Sequence, residues 1–460
     1  MPMNRTLLIL LSALCLCACG KSEFDRKDIK ASFGVISDCH IDSPDGEAAH
    51  KLQSALSQLK AKAAEEDGDG LDGVLIAGDL INNAYSNEAN YVQVEYFKST
   101  YESVLNPVDV PLIYTPGNHD TYREWTPSTI AQAQNISDRL GPGYFLYDKD
   151  MEAKKNLECR HCEVNGTHIL CIVPVDRNPV CYAAEQLSWL DSTLEEITGK
   201  DPHGYVLILT HPMIFNTVYG SRLGEYWYTA ALSDILEKYP QAVTFGGHLH
   251  FPLNDPRSIW QGRFTAFGCG SVRYMAIEDG AYEDMRSKTV MLDANEFSQG
   301  LLIQIDGKGN LRATRMDFHN KDEIGQAWTI GRPRRNGSHL NKYASAPRKK
   351  ANSAPVLSDL QVNLDANVAD GTPVSVTFPA GSDDEFVHDY VITVSKADGT
   401  PMFRKKILAD FYYVPKPGMM KKSWTRPLGV FAPGAYTVTL CARDSWGAQS
   451  GTVSRDFTVE

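Results

Sequence analysis

Residues 244–251 read TFGGHLHF and place two histidines, His248 and His250, one residue apart behind a glycine pair. The run AVTFGG at 242–247 predicts a short buried strand that ends at these glycines. In extended backbone successive side chains alternate sides, so we expect both histidines to point one way and Leu249 the other. Two imidazoles on one side indicate a metal, but such sites usually need about three or four protein ligands. The remaining ligands must come from elsewhere in the chain.

The same unit, a short apolar run that ends at a glycine or polar residue, recurs from residue 31 to about residue 320. The candidate strands are ASFGVIS, DGVLIAG, VPLIYTPG, HILCIVP, YVLILTH and AVTFGG. Helical spacing lies between them, at residues 47–66, 88–105, 127–139, 183–197 and 228–239. This alternation predicts an α/β domain with largely parallel strands and helices on the faces. Ligands of such sheets bind at the carboxyl ends of the strands.

Polar side chains follow five of these strands at that end. They are Asp38 and His40 after FGVIS, Asp79 after VLIAG, Asn118, His119 and Asp120 after LIYTPG, His211 after VLILT, and His248 and His250 after VTFGG. We expect them to converge on one edge of the sheet. The set exceeds what one metal ion can bind and suits two ions that share a carboxylate, an arrangement that promotes displacement at phosphorus. Gly78, Gly117 and Gly247 are expected to allow sharp turns or a positive φ beside them.

Taken in order, the motifs DCH, GDLIN, GNHD, THP and GHLH resemble those of the calcineurin-like metallophosphoesterase superfamily over roughly residues 31–320. The resemblance implies two divalent metal ions, with Mn, Fe and Zn all compatible with the ligands. It assigns Asp38, His40 and His250 to one ion, Asn118, His211 and His248 to the other, and Asp79 to both. It further implies that a hydroxide between the ions attacks phosphorus, that His119 assists the leaving oxygen and that Asp120 orients His119.

The resemblance also implies a fold, a four-layer sandwich of two β-sheets flanked by helices, which we expect over residues 31–330. Residues 331–352 are basic and lack apolar periodicity, so they are expected to form an exposed linker. Alternating stretches such as VSVTFPA, DYVITVS and GAYTVTLCARD follow. They predict a C-terminal all-β domain over residues 353–460, similar to immunoglobulin or fibronectin type III modules.

The N-terminus carries the pattern of an export signal. Arg5 precedes an apolar run from Leu7 to Leu16, and the segment LCAC that ends at Cys19 resembles the lipobox of bacterial lipoproteins. We expect a signal peptide over residues 1–18, lipidation of Cys19 and a tether over residues 19–30, with a plain signal peptide as the alternative. The expected location is the bacterial cell envelope, in the periplasm or on the outer membrane, with membrane contact through the lipid.

Three of the ten cysteines lie in the N-terminal signal region, at Cys15, Cys17 and Cys19. The other seven do not form a disulfide framework, because their number is odd and they are spread over a long chain. A structural zinc site that includes Cys159 and Cys162, and a Cys159–Cys162 or Cys162–Cys181 disulfide, stay open. Cys171 lies in a predicted strand and is expected to pack in the core.

The net charge of −12 disfavours a nucleic-acid partner, since such proteins carry basic surfaces. The expected substrate is a small phosphate ester or a lipid headgroup, with Tyr122, Arg123 and Arg177 as candidate contacts near the site. Within the enzyme class, the alternative is a phosphodiesterase for cyclic nucleotides, nucleotide diphosphates or lipid headgroups. The alternative from another class is a surface binding protein built on a degenerate hydrolase scaffold.

Overall fold

The structure is a computed structural model, and it describes residues 24–66, 68–82, 87–121, 139–140, 144, 159–177, 180–222, 228–281, 284–290, 294–357 and 366–460. The predicted signal peptide with Cys19, the substrate candidates Tyr122 and Arg123, and most of the predicted helix over 127–139 lie outside these residues. Among the described residues, no helix is both long enough and apolar enough to span a membrane.

The first sheet contains seven strands. In spatial order they are Asp322–Glu323, Leu311–Asp317, Gln299–Asp306, Ile29–Ile36, Gly73–Ala77 and Leu112–Thr115, and Trp328–Ile330 also pairs with Leu311–Asp317. The last three strands of the ordered path are parallel, and Ile29–Ile36 pairs antiparallel with Gln299–Asp306. The sheet is therefore mixed, with its parallel half next to the predicted site.

The second sheet contains six strands. In spatial order they are Ile259–Gln261, Thr265–Gly268, Ala242–Gly246, Val206–Leu209, Thr167–Ile172 and Cys159–Val164. The four central strands are parallel, and the two edge strands are antiparallel to their neighbours. Shorter strand pairs join Asp176–Arg177 to Val180–Cys181, Met213–Ile214 to Tyr228–Thr229, and Ala276–Ala281 to Asp284–Val290.

The two sheets share a buried core. Phe33 and Leu75 of the first sheet belong to the same apolar cluster as Leu207, Phe245 and Phe267 of the second. Helices Glu47–Glu66 and Asn87–Glu102 pack in a separate cluster with the first sheet, and helices Ala184–Lys200 and Ser233–Leu236 pack in another with the second. Central strands such as Val206–Leu209 are buried at every residue, because both faces of each sheet are covered. Residues 24–330 thus form a mixed α/β region.

The C-terminal region is all-β. A five-stranded sheet has the order Asn367–Val368, Val453–Val459, Gly434–Asp444, Val387–Lys396 and Pro401–Leu408, and a second pair joins Val374–Pro379 to Ser423–Gly429. Strand Gly434–Asp444 alternates between buried and more exposed side chains, as expected when only one face meets a core. The predicted all-β character of this region is confirmed.

Most of residues 331–352 are exposed, but some of their side chains are buried against the α/β region. Leu340 and Tyr343 are buried, and Tyr343 joins the core between the two sheets. The Tyr343 N–H donates to Gln261 Oε1 at 3.0 Å. The segment ends in a short helix, Ser345–Ala351. Isolated buried side chains, including Leu340 and Tyr343, hold the segment against the α/β region. Because they do not recur at a helix or strand period, no such pattern could be detected in the sequence.

The seven cysteines from Cys39 to Cys441 are all free thiols, so the Cys159–Cys162 and Cys162–Cys181 disulfides that we had left open do not form. Cys171 is buried in the core between the sheets, as expected.

Candidate metal centre

Nine predicted site residues lie in loops that leave the carboxyl ends of five parallel strands. Three of these strands belong to the first sheet and two to the second, so the site forms where the same edges of both sheets meet. All nine are buried except His119, which is partly exposed. Backbone bonds join the first two loops, because the N–H groups of Cys39 and His40 both donate to the carbonyl of Asp79. The sequence prediction that these residues converge is confirmed.

Most candidate ligands adopt an uncommon backbone conformation. Asp38, His40, Asp79, His248 and His250 have φ between 48° and 67°, and they are five of the eight non-glycine residues with positive φ in the described part of the chain. This conformation disfavours L-residues and persists where the surrounding structure enforces it, often at functional sites. The loops therefore carry backbone strain at the ligand positions.

The backbone at His248 and His250 differs from the extended conformation predicted for GHLH. The strand ends at Gly246, and both histidines have positive φ, so GHLH is not extended. The two side chains still enter the site, and Leu249 packs among apolar side chains with the second sheet. Left-handed conformations at both positions, rather than strand alternation, give this result.

Two glycines are required by close approach rather than by φ. A Cβ on Gly247 would collide with Ser37 Oγ and the Asp38 carboxylate, and a Cβ on Gly117 would collide with the Asp79 carboxylate. Neither glycine has positive φ, whereas Gly78 does, at 92°. The expected role of a sharp left-handed turn thus holds for Gly78 alone.

One group of potential ligand atoms comes from Asp38, His40 and His250. The Nε2 atom of His250 lies 3.1 Å from Asp38 Oδ1 and 3.3 Å from His40 Nε2. The Nε2 atom of His40 lies 3.8 Å from both Asp38 Oδ1 and Asp79 Oδ2. Three ligand atoms from three loops thus face one small volume.

A second group comes from Asp79, His211 and His248. The Nε2 atom of His211 lies 3.3 Å from Asp79 Oδ2 and 3.1 Å from Asn118 Oδ1. Asp79 also belongs to a third group, with His40 and His119. Its carboxylate therefore lies between the other ligand atoms, as expected of a shared ligand.

Hydrogen bonds to backbone carbonyls fix the rings of two candidate metal-binding histidines. His211 Nδ1 donates to the carbonyl of Ala77 at 2.7 Å, and His250 Nδ1 donates to the carbonyl of Tyr274 at 2.9 Å. A carbonyl can only accept, so Nδ1 carries a proton in both rings, and Nε2 is the atom whose lone pair becomes available to a metal when its own proton is displaced. That lone pair faces other acceptors, a contact that a cation makes favourable. Such outer hydrogen bonds are typical of metal-bound imidazoles, so these residues fit a divalent metal.

The electrostatics of the site favour positive charge between the groups. Burial alone would lower the pKa of His211, but the Asp79 carboxylate outweighs it and raises that pKa to about 9. Burial would raise the pKa of Asp38, but His250 and His211 hold it well below its usual range. Burial lowers the pKa of His40, which keeps this imidazole neutral and able to bind metal. The carboxylates are thus ionised and the pocket stabilises a cation.

The Asp120 carboxylate binds backbone N–H groups rather than the His119 ring. It accepts the N–H groups of Gly117 at 2.9 Å, Ile81 at 3.2 Å and Leu80 at 3.3 Å. Among the described residues, no hydrogen bond joins it to the His119 ring. Burial and the charge of Asp79 raise the pKa of Asp120 to about 7, against the backbone N–H groups, which lower it. Asp120 is therefore a positioning residue that ties the GD and GNHD loops together.

The group that orients His119 is the carbonyl of Asn82, which accepts from His119 Nδ1 at 3.0 Å. The His119 backbone N–H donates to Asp79 Oδ1 at 2.8 Å, and its ring meets the His40 ring edge-on with centroids 4.5 Å apart. This histidine therefore lies against the ligand groups with a fixed ring.

Sequence reasoning missed Tyr274. Its carbonyl supports His250, and its ring lies 4.2 Å from the His250 ring and 5.6 Å from the His40 ring, centroid to centroid. Lys51 holds the same loop, because its Nζ donates to the carbonyl of Arg273 at 2.8 Å. Tyr274 lies a few residues beyond the strand that neighbours the GHLH strand, and this position was the sequence feature that could have predicted its place at the site. Arg177 lies in a two-residue strand, and its side chain is outside the described part.

The family model of the calcineurin-like phosphoesterases matches residues 31–252. A protein of Ruthia magnifica subsp. Calyptogena magnifica, described as a probable cyclic nucleotide phosphodiesterase, is 28% identical over 223 residues, which are 48% of this chain and 78% of that protein. Among solved structures, GAP50, the anchor in the inner membrane complex of Plasmodium, is similar with a TM-score of 0.40 and 11% identity, over 68% of this chain and 92% of its own. A PKD domain of an M14-like peptidase from Thermoplasmatales archaeon SCGC AB-540-F20 is 18% identical, with a TM-score of 0.17, over 24% of this chain and 97% of its own.

Proposed function

The chain is a metal-dependent phosphoesterase whose residues 31–252 belong to the calcineurin-like phosphoesterases, and we propose that it hydrolyses phosphate esters with two divalent metal ions. The observation that carries the proposal is the place of Asp79 between two groups of ligand atoms. Asp38, His40 and His250 would hold one ion, and Asn118, His211 and His248 the other. Bound there, two such ions activate water and neutralise charge on the phosphoryl oxygens.

His119 would protonate the leaving oxygen. Its Nδ1 proton is donated to the Asn82 carbonyl, so Nε2 is the ring atom that can exchange a proton. Its partial exposure suits a group that meets substrate, whereas the ligand side chains are buried. Asp120 would support this step only indirectly, through the backbone of the GNHD turn.

Substitution of Asp79 tests the proposal. Asp79→Asn keeps the size of the side chain and removes the shared negative charge, so we expect hydrolysis of nitrophenyl phosphate esters to fall by at least about 100-fold. Asp306→Asn is the matched control, because Asp306 is also buried but lies beside Ile29, at the opposite end of the strand that leads to Asp38. Retained turnover in folded Asp79→Asn would refute the mechanism.

A cyclic-nucleotide phosphodiesterase is the second candidate function, and the similarity to the Ruthia magnifica protein favours it. Comparison of bis-nitrophenyl phosphate with nitrophenyl phosphate separates a diesterase from a monoesterase. A kcat/KM that is higher for the diester, together with turnover of a 3′,5′-cyclic nucleotide, would support this candidate. Hydrolysis of the monoester alone would reject it in favour of a phosphomonoesterase.

We also propose the finer architecture and its boundaries. A four-layer arrangement over residues 31–330 is supported by the cluster shared by both sheets and by the helices packed against each sheet. An immunoglobulin- or fibronectin III-like sandwich over residues 353–460 is supported by its two strand sets and their common core. Residues 331–352 would connect the two parts. Limited proteolysis that cuts first inside the β-strands of either region would contradict this division.

For location, we propose an exported lipoprotein anchored through Cys19. The support is the sequence alone, namely Arg5, the apolar run and the LCAC segment. Incorporation of labelled palmitate in a bacterial host should disappear in Cys19→Ser. Persistence of the label in that variant would refute the anchor.

A further inference from the structure

His250 is supported by a segment that also belongs to the C-terminal core. The carbonyl of Tyr274 accepts from His250 Nδ1, and the Ala276 N–H donates to the His250 carbonyl at 3.1 Å. Met275 and Ile277, on either side of Ala276, are fully buried in the same apolar cluster as Phe378, Tyr390 and other C-terminal side chains. The residues that orient this ligand are thus packed against the all-β region.

A second contact reaches the same ligand through aromatic side chains. Phe251 follows His250 directly, and its ring lies 4.8 Å from the ring of Tyr219. The Tyr219 hydroxyl lies 3.3 Å from Nε2 of His388, which belongs to strand Val387–Lys396 of the C-terminal sheet. All three side chains are buried. Tyr219 therefore connects the GHLH loop to the C-terminal region.

His388 is itself held in place by charged groups. Its Nδ1 lies 2.9 Å from Asp389 Oδ2, and Arg443 Nε donates to Asp389 Oδ1 at 2.7 Å. Burial would raise the pKa of Asp389, but His388 and Arg443 lower it, so the carboxylate is ionised and can only accept. His388 Nδ1 therefore donates to Asp389, and Nε2 is the ring atom that shares a hydrogen bond with the Tyr219 hydroxyl.

The ring of Tyr219 is also held from within the α/β region. The Arg257 guanidinium lies 4.0 Å from the centre of the Tyr219 ring, and Asp255 binds that guanidinium through both carboxylate oxygens. Tyr219 is thus clamped between the α/β region and the C-terminal sheet. A buried polar chain of this kind is favourable only when every member is paired, so it requires the two regions to be docked.

We propose that the C-terminal β-region is a built-in positioning element of the metal centre, which holds His250 through the Tyr219–His388 contact and the Tyr274–Ile277 segment. The inference rests on the proposed metal centre. Both sets of contacts reach His250, which belongs to the ligand group of Asp38, His40 and His250. The hydrogen bond that supports His211 runs instead to Ala77 of the first sheet. Loss of the link should therefore weaken one ion more than the other.

The test is Mn²⁺ binding by the full-length chain, measured by calorimetry, with Tyr219→Phe as the variant. This change removes the hydroxyl and keeps the ring on Phe251. We expect affinity for one of two Mn²⁺ ions to fall on the order of 10-fold, the lower end of what outer groups contribute to metal binding. Tyr101→Phe is the matched control, because the buried Tyr101 hydroxyl donates to the carbonyl of Val110, and Tyr101 belongs neither to the Tyr219–His388 contact nor to the C-terminal core.

Variants of His388 give a second readout. His388→Ala should weaken the same ion, and His388→Gln should restore part of the affinity, since its amide can bond to the Tyr219 hydroxyl. If the His388 variants fail to fold, Tyr219→Phe decides alone. If Tyr219→Phe binds each of the two Mn²⁺ ions with the same affinity as the unaltered chain does, the positioning role is overturned. Failure of the unaltered chain to bind two Mn²⁺ ions would overturn the proposed metal centre itself.

Discussion

Gly78→Ala should damage the enzyme far more than the same change at Gly70. Both glycines have positive φ, 92° at Gly78 and 86° at Gly70. A Cβ at Gly78 would collide with the ring of His211 at Nδ1, the atom that donates to Ala77, whereas a Cβ at Gly70 would meet no atom within 4 Å. Comparing the two alanine variants separates the free-energy cost of the backbone conformation from the cost of displacing His211.

The magnitude follows from these two contributions. An alanine in left-handed backbone costs roughly 1–2 kcal/mol, and this cost applies to both variants. Forcing an extra methyl group into packed surroundings costs about 1–3 kcal/mol more, and only Gly78→Ala incurs it. The free energy of unfolding should therefore fall by about 2–5 kcal/mol in Gly78→Ala and by about 1–2 kcal/mol in Gly70→Ala.

Urea denaturation measures these differences, and hydrolysis of a nitrophenyl phosphate ester measures the effect on the site. Gly70→Ala should keep full activity at temperatures where it is folded. Gly78→Ala should lose activity by about 100-fold or more even where it is folded, because His211 cannot keep its orientation as a metal ligand. If the two variants behave alike in stability and activity, Gly78 does not serve the ligand geometry and the reasoning fails.

Three further results are expected. His119→Ala should lower kcat by about 10²–10⁴-fold while the number of bound metal ions is unchanged, and loss of metal in this variant would make His119 a ligand instead. Single substitutions of His248 and His250 by alanine should each weaken a different ion in Mn²⁺ titrations, and a shared loss would contradict the ligand assignment. Burial lowers the pKa of His339 to about 4 from 6.5, so between these values the unfolded chain binds a proton that the folded chain does not. Stability to urea should therefore fall as pH drops from 6.5 to 4, and His339→Gln should reduce that dependence.

The family and the set of converging residues were predictable from the sequence, because each motif sits directly after a buried strand. Apolar runs that end in Gly-Asp or Gly-His place side chains at one sheet edge, whatever the details of the loops. The backbone of GHLH was not predictable in this way. His248 and His250 reach the site through left-handed conformations that only the surrounding loops enforce.

The supporting groups could not be read from residue types either. The carbonyls of Ala77, Asn82 and Tyr274 orient three histidines, and any residue can supply a carbonyl. The resemblance implied that Asp120 orients His119, yet the Asp120 oxygens bind backbone N–H groups. The packing of Tyr343 could not be predicted for a similar reason, since isolated buried side chains such as Leu340 and Tyr343 form no periodic pattern.

The most direct measurement is a titration of the metal-free chain with Mn²⁺, with bound metal and phosphate-ester hydrolysis followed together. Two ions that share Asp79 predict about two equivalents of bound metal per chain, with most of the activity appearing as the second site fills. Asp79→Asn should lose tight binding of at least one ion. Full activity at one equivalent, or unchanged binding in Asp79→Asn, would contradict the shared two-metal centre.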